Sequence, residues 1–79
     1  AKLAAAQEAI AALEVEGQSG GGMVKIVING KGYVKAVAIE RALLKPEEGE
    51  VVEDLVAAAM NDAKAKLDIR AAEEMKALT

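Results

Sequence analysis

EVEGQSGGGMVKIVING, residues 14–30, changes backbone habit twice. Glu14, Val15 and Glu16 alternate with a period of two and run into Gly17, which predicts a short strand; Gln18–Gly22 holds no apolar residue and reads as a glycine-rich loop. From Met23 the alternation resumes. Val24, Ile26 and Ile28 fall on one face and Met23, Lys25, Val27 and Asn29 on the other, the pattern of a strand with at least one buried face. Asn29-Gly30 is a hairpin signal. Past Lys31-Gly32 a third strand is expected over 33–40, with Tyr33, Lys35, Val37 and Ile39 on one face and Val34, Ala36 and Ala38 on the other. The three strands make an antiparallel meander, and apolar residues on both faces of the hairpin predict a cover on each side.

Outward from this sheet the period becomes helical. Leu3, Ala6, Ile10 and Leu13 mark a narrow seam on an alanine-rich helix over 1–14. Ala1 is not an initiator methionine and the seam is already running at Leu3, so the native chain is expected to begin earlier. On the far side, Pro46 favours a helix start and Glu47, Glu48, Glu50, Glu53 and Asp54 complement the helix dipole, while Gly49 blurs where the regular helix begins. Val52, Leu55, Val56, Ala59, Met60, Ala63 and Leu67 repeat at helical spacing, and Ala71, Met75 and Leu78 carry the stripe on. A helix from about 50 to 78 would be roughly 43 Å long, against roughly 30 Å for a small domain. Its last turns must overhang, and an apolar overhang calls for a partner, most simply a second copy related by a twofold axis. The reading is α+β: one domain over 1–79, with an N-terminal helix, a three-stranded meander and a long C-terminal helix.

Composition points the same way. The 79 residues are 53% apolar, but 18 of those apolar residues are alanine, and one Tyr is the only aromatic side chain. Such a thin core needs help, and small scaffolds find it in disulfides, metals or oligomerisation. There is no Cys and no His, which excludes disulfides and Zn, Fe–S and haem sites and leaves oligomerisation. Neither a Ser/His nor a Cys/His pair can be assembled, and the only hydroxyls are Ser19, Tyr33 and Thr79, so no catalytic residue, cofactor or metal is expected. No apolar run approaches a membrane span and no secretory signal opens the chain; with the absence of Cys this is read as cytoplasmic.

Three motifs invite chemistry. Ser19-Gly20-Gly21-Gly22 lacks the Lys-Ser/Thr end and following helix of a phosphate loop, so it reads as a strand connection. The carboxylates at Glu47, Glu48 and Glu50 and at Glu73 and Glu74 lack calcium-loop spacing and read as solvated helix faces. The basic residues are segregated: Lys25, Lys31, Lys35 and Arg41 stand against Glu40 alone between 23 and 41, in a chain of net charge −3. A second run, Lys64, Lys66 and Arg70, lies on the long helix among Asp62 and Asp68. Taken alone, these clusters are ordinary surface with some i,i+4 pairing, and a pI of 4.9 counts against strong binding to a polyanion.

EVEGQSGGGMVKIVING, then Glu40-Arg41-Ala42-Leu43-Leu44, then Glu53-Asp54-Leu55-Val56-Ala57-Ala58-Ala59-Met60-Asn61-Asp62-Ala63 resemble, in order and across nearly the whole chain, the YbaB/EbfC family of bacterial nucleoid-associated proteins. The resemblance implies an α-β-β-β-α protomer, a tweezer-like homodimer with projecting helices, and binding of double-stranded DNA with low sequence specificity at the nucleoid. It also implies a Met/Gln/Lys-rich stretch before Ala1 and a flexible C-terminal tail, both expected to be missing or truncated in 1–79, whose basic residues would change the charge balance. Because it assigns binding to the helical arms, Lys2, Lys64, Lys66 and Arg70 are the expected phosphate contacts, with Lys25, Lys31 and Lys35 next. The rival reading is a dimeric protein-interaction or adaptor module that uses the acidic Glu47–Asp54 surface and has little DNA affinity of its own.

Overall fold

The computed structural model describes residues 2–77, so the expectation for Leu78 lies outside the described residues. Helix α1 (Lys2–Ala11) leads into strands β1 (Glu14–Ser19), β2 (Val24–Asn29) and β3 (Val34–Ile39), and helix α2 (Gly49–Lys76) closes the chain. Single 3-10 turns at Gly20–Gly22, Arg41–Leu43 and Pro46–Glu48 make the connections. The sheet is antiparallel in the order β1-β2-β3. The helix–meander–helix order matches the sequence reading.

β1 is longer than its alternation suggests. Gln18 and Ser19 belong to the strand, opposite Lys25 and Val24, and not to a loop. Their polar groups find partners on α2: the Gln18 N–H donates to Asp62 Oδ2 at 2.9 Å, and Ser19 Oγ donates to the Leu55 carbonyl at 2.5 Å. A strand whose polar residues are satisfied by a helix loses the apolar alternation by which strands are read.

α2 runs antiparallel to β1 and covers β1 and β2 on one face. Val24 and Ile28 are fully buried beneath it, Ile26 and Val15 nearly so, and Ala59, Ala63 and Leu67 seal them from the helix side. The contact is closest at Gly17, where a Cβ would overlap the Ala59 carbonyl oxygen and the Ala63 nitrogen and lie 2.6 Å from Ala63 Cα. Helix backbone therefore rests directly on strand backbone. At the hairpin, Asn29 Oδ1 accepts from the Lys31 and Tyr33 N–H groups at 2.9 and 3.0 Å, and Gly32 takes the left-handed conformation at φ +86°. The Asn-Gly pair does not itself supply the positive φ; Gly30 instead leaves room for the end of α1, whose Ile10 carbonyl occupies the place of a side chain.

β3 departs from its predicted faces. Ile28 pairs with Val34 and Val27 with Ala36, so Lys35 is an extra residue, a bulge, and Val34 moves to the face of Val37 and Ile39. Val34 and Val37 are 51% and 52% exposed, although they sit opposite the buried Ile28 and Ile26. α2 stops short of this strand. The expectation of a cover on each side fails as well, because the opposite face is exposed at Lys25, Ala36 and Ala38. The molecule is long, 53 × 17 × 14 Å, with a radius of gyration of 15.1 Å against about 12 Å for a compact chain of this length. Its 5348 Å² of surface exceeds the roughly 4,500 Å² of a compact monomer.

Two substitutions test this packing by urea denaturation. Leu67→Ala is expected to lower stability by about 2–5 kcal/mol through the cavity it leaves. Gly17→Ala is expected to lower it by about 1–3 kcal/mol or more, since the clashing atoms are backbone and no rotamer relieves them.

Candidate nucleic-acid interface

Cations define the candidate site, and the fold sorts them by what they already hold. Lys66 is half-buried on the face of α2 that looks at the outer edge of β1. Its ammonium pairs with Asp62 Oδ2 at 2.8 Å and donates to the Glu16 carbonyl at 3.1 Å. Together Asp62 and Lys66 satisfy one N–H and one C=O of the strand edge, which would otherwise offer unpaired groups to another chain. Lys66 is thus part of the bond between helix and sheet. Lys64, on the outer face of α2, pairs with Asp68 at 2.6 Å across one helical turn. That pair is more than half exposed and is worth little, so a phosphate can replace the carboxylate at small cost.

Arg70 lies one turn beyond Lys66. It lines an open groove of about 320 Å³ with Glu14, Val15, Glu16, Lys66 and Ile69, and holds no partner among the described residues. Lys2 opens α1, and its side chain lies outside the described residues. The end of α1 packs beside the hairpin at Gly30, and the C-terminal half of α2 passes the start of β1, so both arms lie towards the same end of the sheet. Along 62–76 the four cations Lys64, Lys66, Arg70 and Lys76 face the four carboxylates Asp62, Asp68, Glu73 and Glu74. The arm is neutral overall.

The sheet is different. Lys35 pairs with Glu14 at 2.8 Å across the intervening strand, while Lys25 and Lys31 are exposed and unpaired among the described residues. Arg41, absent from the expected contacts, stands in the 3-10 turn after β3 and lines a second open groove with Lys25. The signal for it was in the sequence, in the charge excess between 23 and 41. Among the described residues no three acidic side chains converge as metal ligands, and no helix is long and apolar enough to cross a membrane.

The sequence model of the YbaB/EbfC DNA-binding family matches residues 1–79. A nucleoid-associated protein of Phenylobacterium zucineum is 56% identical over 75 residues, 95% of this chain and 70% of that protein. Nucleoid-associated proteins of Brucella anthropi and Brucella ovis are 49% and 47% identical over all 79 residues, 74% of each relative's length.

The Lys66 ammonium, then the Gln18 N–H, hold the Asp62 carboxyl below its ordinary 3.8. A carboxyl lowered in the folded state adds stability that is fully present above its unfolded value and lost as pH falls through the folded one. Wild type is therefore expected to be more stable than Asp62→Asn at about pH 6, with the urea midpoints converging as pH falls below 3.8. A constant gap across that range would show that the charge on Asp62 contributes nothing.

Proposed function

Because the chain belongs to the YbaB/EbfC DNA-binding family, we propose that it acts without catalysis, as a homodimer that grips double-stranded DNA through backbone phosphates at the nucleoid, with little regard to base sequence. The observation that carries the reading is the character of the cations. Arg70, Lys25, Lys31 and Arg41 are exposed and unpaired among the described residues, and Lys64 and Lys35 are held only by exposed carboxylates. Such groups bind a polyanion by displacing its condensed counterions, a sequence-independent source of affinity.

Arg70 is the first arm contact, since it is exposed, unpaired among the described residues, and planar enough for bidentate hold on a phosphate. Lys64 joins it by exchanging Asp68 for phosphate, and Lys2 contributes from α1. Lys66 is bound to Asp62 and Glu16 and serves chiefly to seat the arm on the sheet. Dimerisation supplies what one neutral arm lacks, because each cation then appears twice.

The surface proposed for the twofold contact is the uncovered β3 row of Val34 and Val37. It continues the buried face of Ile26 and Ile28 and is left open by α2. The excess of exposed surface over a compact monomer supports the same assignment. In the dimer the arms of the two copies present their cations to one duplex. This would organise DNA in the nucleoid and influence the genes it covers.

Light scattering and fluorescence anisotropy with a labelled duplex test both halves. The pair Val34→Glu and Val37→Glu is expected to halve the mass in solution. Arg70→Glu with Lys64→Glu is expected to keep the dimer and weaken duplex binding at least tenfold. Unchanged binding in the second variant, with loss of partner capture on reversing Glu47, Glu50 and Glu53, would favour the adaptor role.

A further inference from the structure

We propose a phosphate-binding site at the end of the sheet far from the arms, formed by Lys25 and Arg41 over the Gly22 turn and occupied in the DNA complex by a backbone phosphate. The proposal rests on the DNA-binding reading above for its ligand, and on separate residues for its site.

Strand register builds the groove. Val24 pairs with Ile39 and Lys25 with Ala38, and the Glu40 N–H donates to the Met23 carbonyl at 2.8 Å, which extends the β2–β3 pairing past the strand ends. The chain then turns into 3-10 geometry at Arg41, so that Arg41 stands over the start of β2 beside Lys25. On the other side the backbone arrives through Gly22 at φ +94°. A Cβ there would lie 3.6 Å from Lys25 Cε and 3.3 Å from Gln18 Oε1, so glycine leaves backbone bare beside the lysine stem. The result is an open groove of about 400 Å³ lined by Gly22, Met23, Lys25, Ile39, Glu40 and Arg41.

Its electrostatics set it apart. Neither Lys25 nor Arg41 forms an ion pair or side-chain hydrogen bond with a described residue, whereas Lys35, Lys64 and Lys66 each hold a carboxylate. The groove beside Arg70 contains Glu14, Glu16 and a Lys66 already engaged; this one has two unengaged cations against the single carboxylate of Glu40. A lysine point charge and an arginine fork converging on one concavity suit the tetrahedral oxygens of a phosphate. No aromatic ring lines the groove to stack a base.

The position adds to the arms. Lys25 is four residues from Asn29, where the hairpin end begins, or about 13 Å along the strand. A duplex engaged by both arm and groove would cross the length of the sheet.

Anisotropy with a labelled duplex at several salt concentrations, on the 79-residue chain and its variants, tests the site, with inorganic phosphate followed by amide NMR as an independent readout. The double variant Lys25→Ala, Arg41→Ala is expected to melt like wild type and to reduce the magnitude of the slope of log K on log salt by about one per groove engaged. Glu40→Gln is expected to tighten binding roughly two- to fivefold by removing one exposed negative charge. Phosphate should shift the amides around Gly22, Lys25 and Arg41 in wild type and not in the double variant. If the duplex binds with unchanged slope in the double variant, the groove is not a DNA contact and the arm reading stands. If wild type binds no duplex, the DNA reading fails, and the phosphate titration decides the site alone: localised shifts support it and their absence overturns it.

Discussion

Helix backbone meets strand backbone at Gly17, and the seat of α2 on the sheet follows from that contact. α2 comes so close to β1 there that Ala59 and Ala63 occupy the space of a side chain, and this proximity brings Leu67, Val15, Val24, Ile26 and Ile28 into one core without a single aromatic residue. It also sets which helix residues reach the strand edge. Leu55, Asp62 and Lys66 are one to two turns apart on the contact face, and each ties a different point of β1. A larger residue at 17, 59 or 63 would lift the helix and release all three ties. The thinness of the core is thus offset by closeness of approach, a use of small residues that favours dispersion contacts over buried area.

Seating the helix in this way decides which charges are already paired. Of the cations on α2, Lys66 is drawn inward to complete the strand edge, Lys64 is lightly held, and Arg70 is left to solvent. On the sheet the bulge at Lys35 turns that residue towards Glu14, while Lys25, Lys31 and Arg41 remain open. A chain of net charge −3 therefore carries its available positive charge in small, separated places. That distribution favours a weak, salt-sensitive hold on a polyanion that strengthens when two copies act together.

Much of the fold was legible because its signals are local. The alternation of Val24, Ile26 and Ile28 and the helical spacing from Val52 to Leu67 come directly from burial on one face, and both appear in the structure as read. What stayed hidden depends on residues far apart in the chain. The second half of β1 is polar because Gln18 and Ser19 bond to α2, 44 and 36 residues away. Lys66 reads as a surface cation until its contact with Glu16, 50 residues distant, is seen. A bulge leaves no mark in hydropathy, so simple alternation from Tyr33 sets Val34 on the face opposite to the one it takes. Arg41 is an exposed cation like any other until strand register sets it beside Lys25.

Competition between duplexes distinguishes the proposed hold through phosphates from one that reads bases. Labelled duplex of one sequence is bound at low salt and displaced by unlabelled duplexes of unrelated sequence and equal length. Displacement is expected at the same competitor concentration within a few-fold for every sequence, with release of all of them together as salt is raised. One sequence displacing far better than the rest, or binding that persists unchanged at high salt, would contradict it.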